Sequence, residues 1–204
     1  MGSEMCIRDS HLSGVLHRIY SRAVRNGQLQ APEHSRLRFR TINGATGGVL
    51  GKVDTQRYQA IVGSVMYLAQ GTRYEIRYAC SQLARALSKP SKVHMGAAKH
   101  LLRYLAGTKD FAITYKRGKF TLDAFSEANW GNNPDNVKST SCYIVPMCKA
   151  PISFKTEQQS LTGMSTMEAE IVAGALAMKE AAFCSNMMKE LGFGTQFEQV
   201  PVNI

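Results

Sequence analysis

Two short acidic segments carry the chemistry available to this chain. The first is Ser126-Glu127-Ala128-Asn129-Trp130, which closes the apolar run Phe120-Thr121-Leu122-Asp123-Ala124-Phe125, read as a strand. The second is Ser165-Thr166-Met167-Glu168-Ala169-Glu170, which opens a helix. A carboxylate at a strand's end and another in the first turns of a later helix can converge on a divalent metal. Carboxylates are hard oxygen ligands, and magnesium suits them because it keeps waters available for chemistry.

The three acids are not equivalent. Glu168 and Glu170 stand about 200° apart on a helix, so only one can face a sheet. Ser165-x-x-Glu168 has the spacing of a capping box, which assigns Ser165 and Glu168 to the helix cap. Glu170 falls on the side of Ala173, Gly174 and Ala177, small residues that let a helix approach a sheet closely, and is the metal-ligand candidate. Glu127 shares its side of the strand with Phe125 and Asp123, so Asp123 stays open as an alternative ligand. Taken alone, each acid is a solvated side chain more often than a ligand.

The elements that must position these acids follow from periodicity. Tyr58, Val62, Val65 and Ala69 form one helical stripe, with Asp54 able to cap it. Ile76, Cys80, Leu83 and Leu87 form a second stripe, which ends before Pro90. A third helix starts at Ser91 as N-cap and ends at Gly107 as a C′ residue. It buries His94, Ala98, Leu101 and Leu105 and turns Lys92, Lys99 and Arg103 the other way. That basic stripe fits a phosphate backbone or a simple solvated face, and His94 reads as a half-buried packing residue. From Phe111 the period becomes two. Phe111 to Tyr115 and Phe120 to Phe125 read as strands joined like a hairpin, with further strands at Thr140 to Met147 and Pro151 to Lys155. A helix from Ser165 to about Leu191 and a strand from Val200 to Ile204 complete an α/β (α+β) order.

Composition sets the wider bounds. The chain has 204 residues, 44% of them apolar, enough for one large or two small domains. It lacks a run of eighteen apolar residues and a secretory leader, so no membrane partner and an intracellular location are expected. Five cysteines without C-x-x-C spacing read as idle or buried thiols in a reducing compartment. The net charge of +10 divides into +13 for residues 1–118 and −3 for 119–204. A basic half beside an acidic half suggests a polyanion-binding module joined to one whose carboxylates gather metal. Residues 1–10 resemble a translated sequencing adapter and are set apart as an artefact. Residues 11–53 read as a poorly structured linker. Gly44 to Lys52 within it is a loop, not a P-loop, because Thr46 stands where the first glycine belongs and Val53 replaces the Ser/Thr.

Several ordered motifs carry a family resemblance. They are Tyr58-Gln-Ala-Ile-Val-Gly-Ser-Val-Met-Tyr-Leu-Ala69, Thr72-Arg73, Ala97-Ala-Lys-His-Leu-Leu-Arg-Tyr-Leu-Ala-Gly-Thr108, Lys138-Ser-Thr-Ser141, Ala150-Pro-Ile-Ser-Phe154 and Ser165-Thr-Met-Glu-Ala-Glu170. From about residue 53 onward the chain resembles the end of the Pol polyprotein of copia-type LTR retrotransposons. The resemblance implies a three-helix reverse-transcriptase connection region at 54–110. A ribonuclease H-like domain at 111–204 follows, with three antiparallel strands, a helix and a returning strand. It further implies hydrolysis of the RNA strand of RNA–DNA hybrids with Mg²⁺, catalytic and metal-ligand positions at Glu127 and Glu170, and the remainder of the polyprotein as partner. The location implied is a cytoplasmic particle or the nucleus. An integrase-type domain shares the fold, but the segment order and the Glu-Ala-Glu helix argue against it.

Two departures bear on activity. Glu127 stands where the family has aspartate, and Tyr74-Glu75 stands where it has Pro-Asp. The extra methylene at 127 displaces the carboxylate by roughly 1 Å, against a tolerance of about 0.5 Å in metal sites. The family's further ligands would lie past Ile204, so the domain is expected to be incomplete and this copy inactive. The alternative is a non-catalytic basic module that binds nucleic-acid duplex.

Overall fold

The computed structural model describes residues 48–116, 122–133 and 136–193, with the backbone of 5–7 and 202–203. The chain divides into a unit of Ile7–Ala112 and a unit of Ile113–Ile204 with Met1–Cys6.

In the first unit, helices form where the apolar stripes lie: α1 (Lys52–Gly71), α2 (Arg77–Ala84) and α3 (Lys92–Gly107). All four residues of the α1 stripe are buried, as are Ile76, Cys80 and Leu83, and Ala98, Leu101 and Leu105 of α3. They form one core, with Leu87 packed against it. The Tyr58 hydroxyl donates to the Leu83 carbonyl at 2.7 Å, pinning α1 to α2.

Several sequence expectations need correction here. Asp54 does not cap α1, which starts two residues earlier with Gly51 at the cap position and no side-chain cap. Asp54 lies inside the first turn, where its charge complements the positive end of the helix dipole. The expected linker gives way by Gly48: Val49 bridges Ser91, and the Leu50 N–H donates to the Pro90 carbonyl at 3.0 Å. The stripe from Ile76 to Leu87 is not one helix. A 3₁₀ turn (Tyr74–Ile76) leads into α2, and tighter bonds from Ala86 and Leu87 to the third carbonyl back close the segment short of Pro90. Gly107 is the last helical residue of α3, and Thr108 follows in an ordinary conformation, so no left-handed glycine is needed.

Arg73 ties the first unit together. It is only 4% exposed. Its Nε donates to Glu75 at 2.6 Å, and its Nη atoms reach the Thr108 carbonyl and hydroxyl at 3.1 and 2.5 Å. The guanidinium carbon also lies 5.8 Å from the ring centres of both Tyr104 and Phe111. A buried charge held on every side in this way joins the end of α1 to the end of α3.

The second unit is built on a sheet. Strands β1 (Met5–Ile7) and β2 (Ile113–Tyr115) make a two-stranded pair, while β3 (Ala124–Asn129), β4 (Thr140–Met147), β5 (Ala150–Gln158) and β6 (Val202–Asn203) make a sheet of order β5-β4-β3-β6. Strands β3, β4 and β5 are antiparallel in turn, and β6 returns parallel to β3. Between β5 and β6 runs α4 (Thr166–Met188), the crossover that parallel strands require. The α/β order expected from the sequence is therefore present.

Two readings in this unit fail. β2 does not form a hairpin with the strand that follows; its partner is Met5–Ile7, within the residues set apart as an artefact. A short apolar segment offers a ladder partner whatever its origin. The turn expected at 116–119 and the strand start at Phe120 fall largely on 117–121, outside the described residues. The strand also does not end at Phe125, since Glu127 lies within β3, opposite Cys142.

Candidate metal centre and basic cleft

Strand alternation decides what each face of the sheet carries. Ala124 of β3 and Val145 of β4 pack with Leu122 against Ala177, Ala181 and Cys184 of α4. Ser126 and Ala128 share that helix-facing side. Phe125 and Glu127 point to the opposite face, where Phe125 is 42% exposed and Glu127 is exposed. Gln159 and Trp130 help hold the loop into α4. Gln159, buried, donates from Nε2 to the Ser141 hydroxyl at 2.7 Å and to the Ala169 carbonyl at 2.9 Å. The Trp130 indole N–H donates to the Gly163 carbonyl at 2.9 Å.

At the start of α4 the Ser165 hydroxyl accepts the Glu168 N–H at 3.2 Å, as an N-cap should. The Glu168 carboxylate reaches back past Ser165 and accepts the Met164 N–H at 2.6 Å. Buried Ala169, Ala173, Gly174 and Ala177 bring the helix close to the sheet, and half-buried Glu170 meets the edge of β3. One of its carboxylate oxygens accepts the Ala128 N–H at 3.0 Å. Glu127 and Glu170, separated by more than forty residues in sequence, are thus brought to one end of one strand. Asp123 lies four residues back, before β3 begins.

Sequence reasoning missed a thiol that feels the charge of both acids. Cys142 faces the same side as Glu127 from the adjacent strand. Burial first, then the negative charges of Glu127 and Glu170, push its thiol above the usual range, against a hydrogen bond with the Glu127 backbone. Cys142 therefore keeps its proton at neutral pH. Only the strand register could have revealed it.

The donor set of the described residues does not fit a two-magnesium centre. Among the described residues, no group of three or more His, Cys, Asp or Glu side chains could hold a metal ion. Two glutamates remain, one with an oxygen engaged by backbone and one exposed on the open face, near a protonated thiol.

The predicted basic residues separate. Lys92 is exposed, and Lys99 and Arg103 are half-buried. Lys92 and Lys99 line a cleft of about 260 Å³ with Leu50, Asp54, Arg57, Met95 and Gly96; Arg103 lies outside it. His94 is buried rather than half-buried, and it caps α3. The Ser91 N–H donates to its Nδ1 at 3.1 Å, and the Ser91 hydroxyl lies 2.8 Å from the same atom. Burial holds the imidazole below its ordinary value, which keeps Nδ1 available as an acceptor.

Among known proteins, the chain is similar to the retrovirus-related Pol polyprotein from transposon RE1 of Arabidopsis thaliana. They are 38% identical over 140 residues, covering 68% of this chain and 10% of that protein. The Pol polyprotein from transposon TNT 1-94 of Nicotiana tabacum is 33% identical over 142 residues, 70% of this chain and 11% of that one. Secreted RxLR effector protein 161 of Plasmopara viticola is 31% identical over 127 residues, 62% of this chain and 89% of that protein. No family model and no solved structure matches. The chain belongs to the copia-type retrotransposon Pol polyproteins. It spans about a tenth of the length of the Pol polyproteins it matches.

Proposed function

We propose that residues 113–204 are a ribonuclease H-type unit of a Pol polyprotein, the class that hydrolyses the RNA strand of RNA–DNA hybrids. In this copy the unit retains the layout of the site without its turnover. The three helices before it are the reverse-transcriptase connection region, and the rest of the polyprotein is the natural partner. The observation that carries this reading is Glu170 docked on the Ala128 N–H beside Glu127, at the end of a strand flanked by antiparallel β4 and parallel β6. In an intact site of this class two Mg²⁺ ions about 4 Å apart supply the attacking water and stabilise the leaving oxygen. This chain's described residues hold two carboxylates at the position and too few donors for that pair. The 204-residue chain is expected to leave a labelled RNA–DNA hybrid intact in Mg²⁺. Cleavage that is abolished both by EDTA and by Glu170→Gln would overturn the inactive assignment.

A second reading rests on a different observation: Lys92, Lys99 and Arg103 stand away from the buried stripe of α3. On this reading the helical unit grips nucleic-acid duplex through its phosphates, and the acidic unit serves as scaffold. Salt-dependent affinity for the hybrid that survives Glu127→Gln and Glu170→Gln is the expected result. Affinity lost with either carboxylate would place the binding in the second unit instead.

A further inference from the structure

The cleft between α1 and α3 concentrates positive charge beyond the stripe on α3. Arg57 from α1 joins Lys92 and Lys99 from α3 around it, and Asp54 is the one carboxylate in its lining, a balance of +2. The pair between Arg57 and Asp54 is loose: 3.7 Å, with the side chains 45% and 54% exposed. Exposed pairs of this kind contribute little, so Arg57 can turn to another anion. Among the described residues Lys92 and Lys99 have no carboxylate partner. Lys92 is the first residue of α3, whose first turn contains no acid. A cation there opposes the helix dipole. Nearby, α1 begins without a side-chain cap, leaving its first N–H groups to other acceptors. Three cations facing a single carboxylate give the cleft a field that favours an anion. The space for one exists, because a Cβ built on Gly96 meets nothing within 4 Å.

We infer that this cleft, formed by Arg57, Lys92, Lys99 and the open backbone at Gly96, is a phosphate-binding site that takes a backbone phosphate of a nucleic-acid strand. The choice of nucleic acid as the source rests on the duplex-binding reading above. The site itself rests on the cleft's charge and shape. It adds Arg57 and Gly96 to the binding surface and leaves Arg103 outside this contact.

Two measurements on the full chain separate the site from its source. In the first, the ¹⁵N-labelled protein is titrated with inorganic phosphate. Saturable shifts are expected at the amides of Arg57, Gly96 and Lys99. They are lost in Arg57→Gln, in Lys99→Gln and in Gly96→Leu, a charge-neutral variant that fills the cleft and raises helix propensity. Shifts elsewhere only, or shifts unchanged in all three variants, overturn the site. In the second, affinity for a labelled duplex is followed against salt concentration. Each of Arg57→Gln, Lys92→Gln and Lys99→Gln is expected to reduce the log–log slope by about 0.9. Duplex binding with all three slopes unchanged also overturns the site. Phosphate binding in the cleft without salt-dependent duplex binding overturns the nucleic-acid source alone.

Discussion

The two acids singled out from the sequence differ in what the fold has done with them. Glu170 is tied to backbone, whereas Glu127 projects from the open face of β3. Cys142 senses both, because their charge adds to burial in raising its thiol. Glu127→Gln and Glu170→Gln should each remove part of that penalty and shift the alkylation midpoint of Cys142 to lower pH. Site-resolved iodoacetamide labelling across pH, read by mass spectrometry, measures this directly. Midpoints that stay put in both variants would mean that the acids do not converge on the thiol. The identity of Glu170 as the sheet-facing acid was legible, since its helical neighbours are small. The role of Cys142 was not, because a strand's register leaves no local trace in the sequence.

Among the elements, α3 shows how one side chain can govern a helix end. His94 acts as the third-position partner in a capping box, a place usually held by Glu or Gln. Its folded pKa lies below the ordinary value near 6.5, so the unfolded chain binds the proton more readily. Stability from this group is therefore complete above about pH 6.5 and falls as the pH drops below that value. Protonation also removes the Nδ1 acceptor, at a cost of about 1 kcal/mol in helix-cap terms. His94→Gln keeps an acceptor that does not titrate. Urea midpoints at pH 7.5 and 5.5 should differ more for the native chain than for His94→Gln. An equal difference in both would remove His94 from the pH dependence. The β4–β5 turn shows the opposite case. Cys148 and Lys149 both adopt left-handed backbone, with φ of 53° and 66°, although neither is Gly, Asn or Asp. Turn chemistry gave no warning there; strand periodicity left a three-residue gap after Met147, and the pairing of Met147 with Ala150 closes it to two.

For the molecule as a whole, the helical unit depends on a contact that spans thirty-five residues, from Arg73 to Thr108. Arg73→Met keeps much of the volume and deletes the charge, taking from Glu75 its partner and from Thr108 two donors, while the Thr108 carbonyl still accepts the Phe111 N–H and its hydroxyl still donates to the Tyr104 carbonyl. Glu75 is 29% exposed and rehydrates when Arg73 is lost, so the cost is about 2 kcal/mol. Urea unfolding followed by helical circular dichroism should show that loss, and an unchanged midpoint would reduce Arg73 to a packing residue. The family motif Thr72-Arg73 marked the position. Its purpose emerged only once Tyr104, Thr108 and Phe111 were found around the guanidinium.

Read as a string, the chain determined most of its helices and strands, the cap at Ser165 and the acid most suited to meet a sheet. Those features are local: they depend on spacing within one element, and side-chain period and cap chemistry express them directly. The tertiary structure alone decided that one oxygen of Glu170 binds the edge of β3, that a protonated thiol lies near both acids, and that Arg57 closes a cleft with Lys92 and Lys99. Each of these depends on packing between distant segments, through the close approach of the small-residue face of α4 to the sheet or the shared core of α1 and α3. Two carboxylates can be placed near one another by sequence pattern. Whether they are free to hold a metal is decided by what the packed backbone and its neighbours have already claimed.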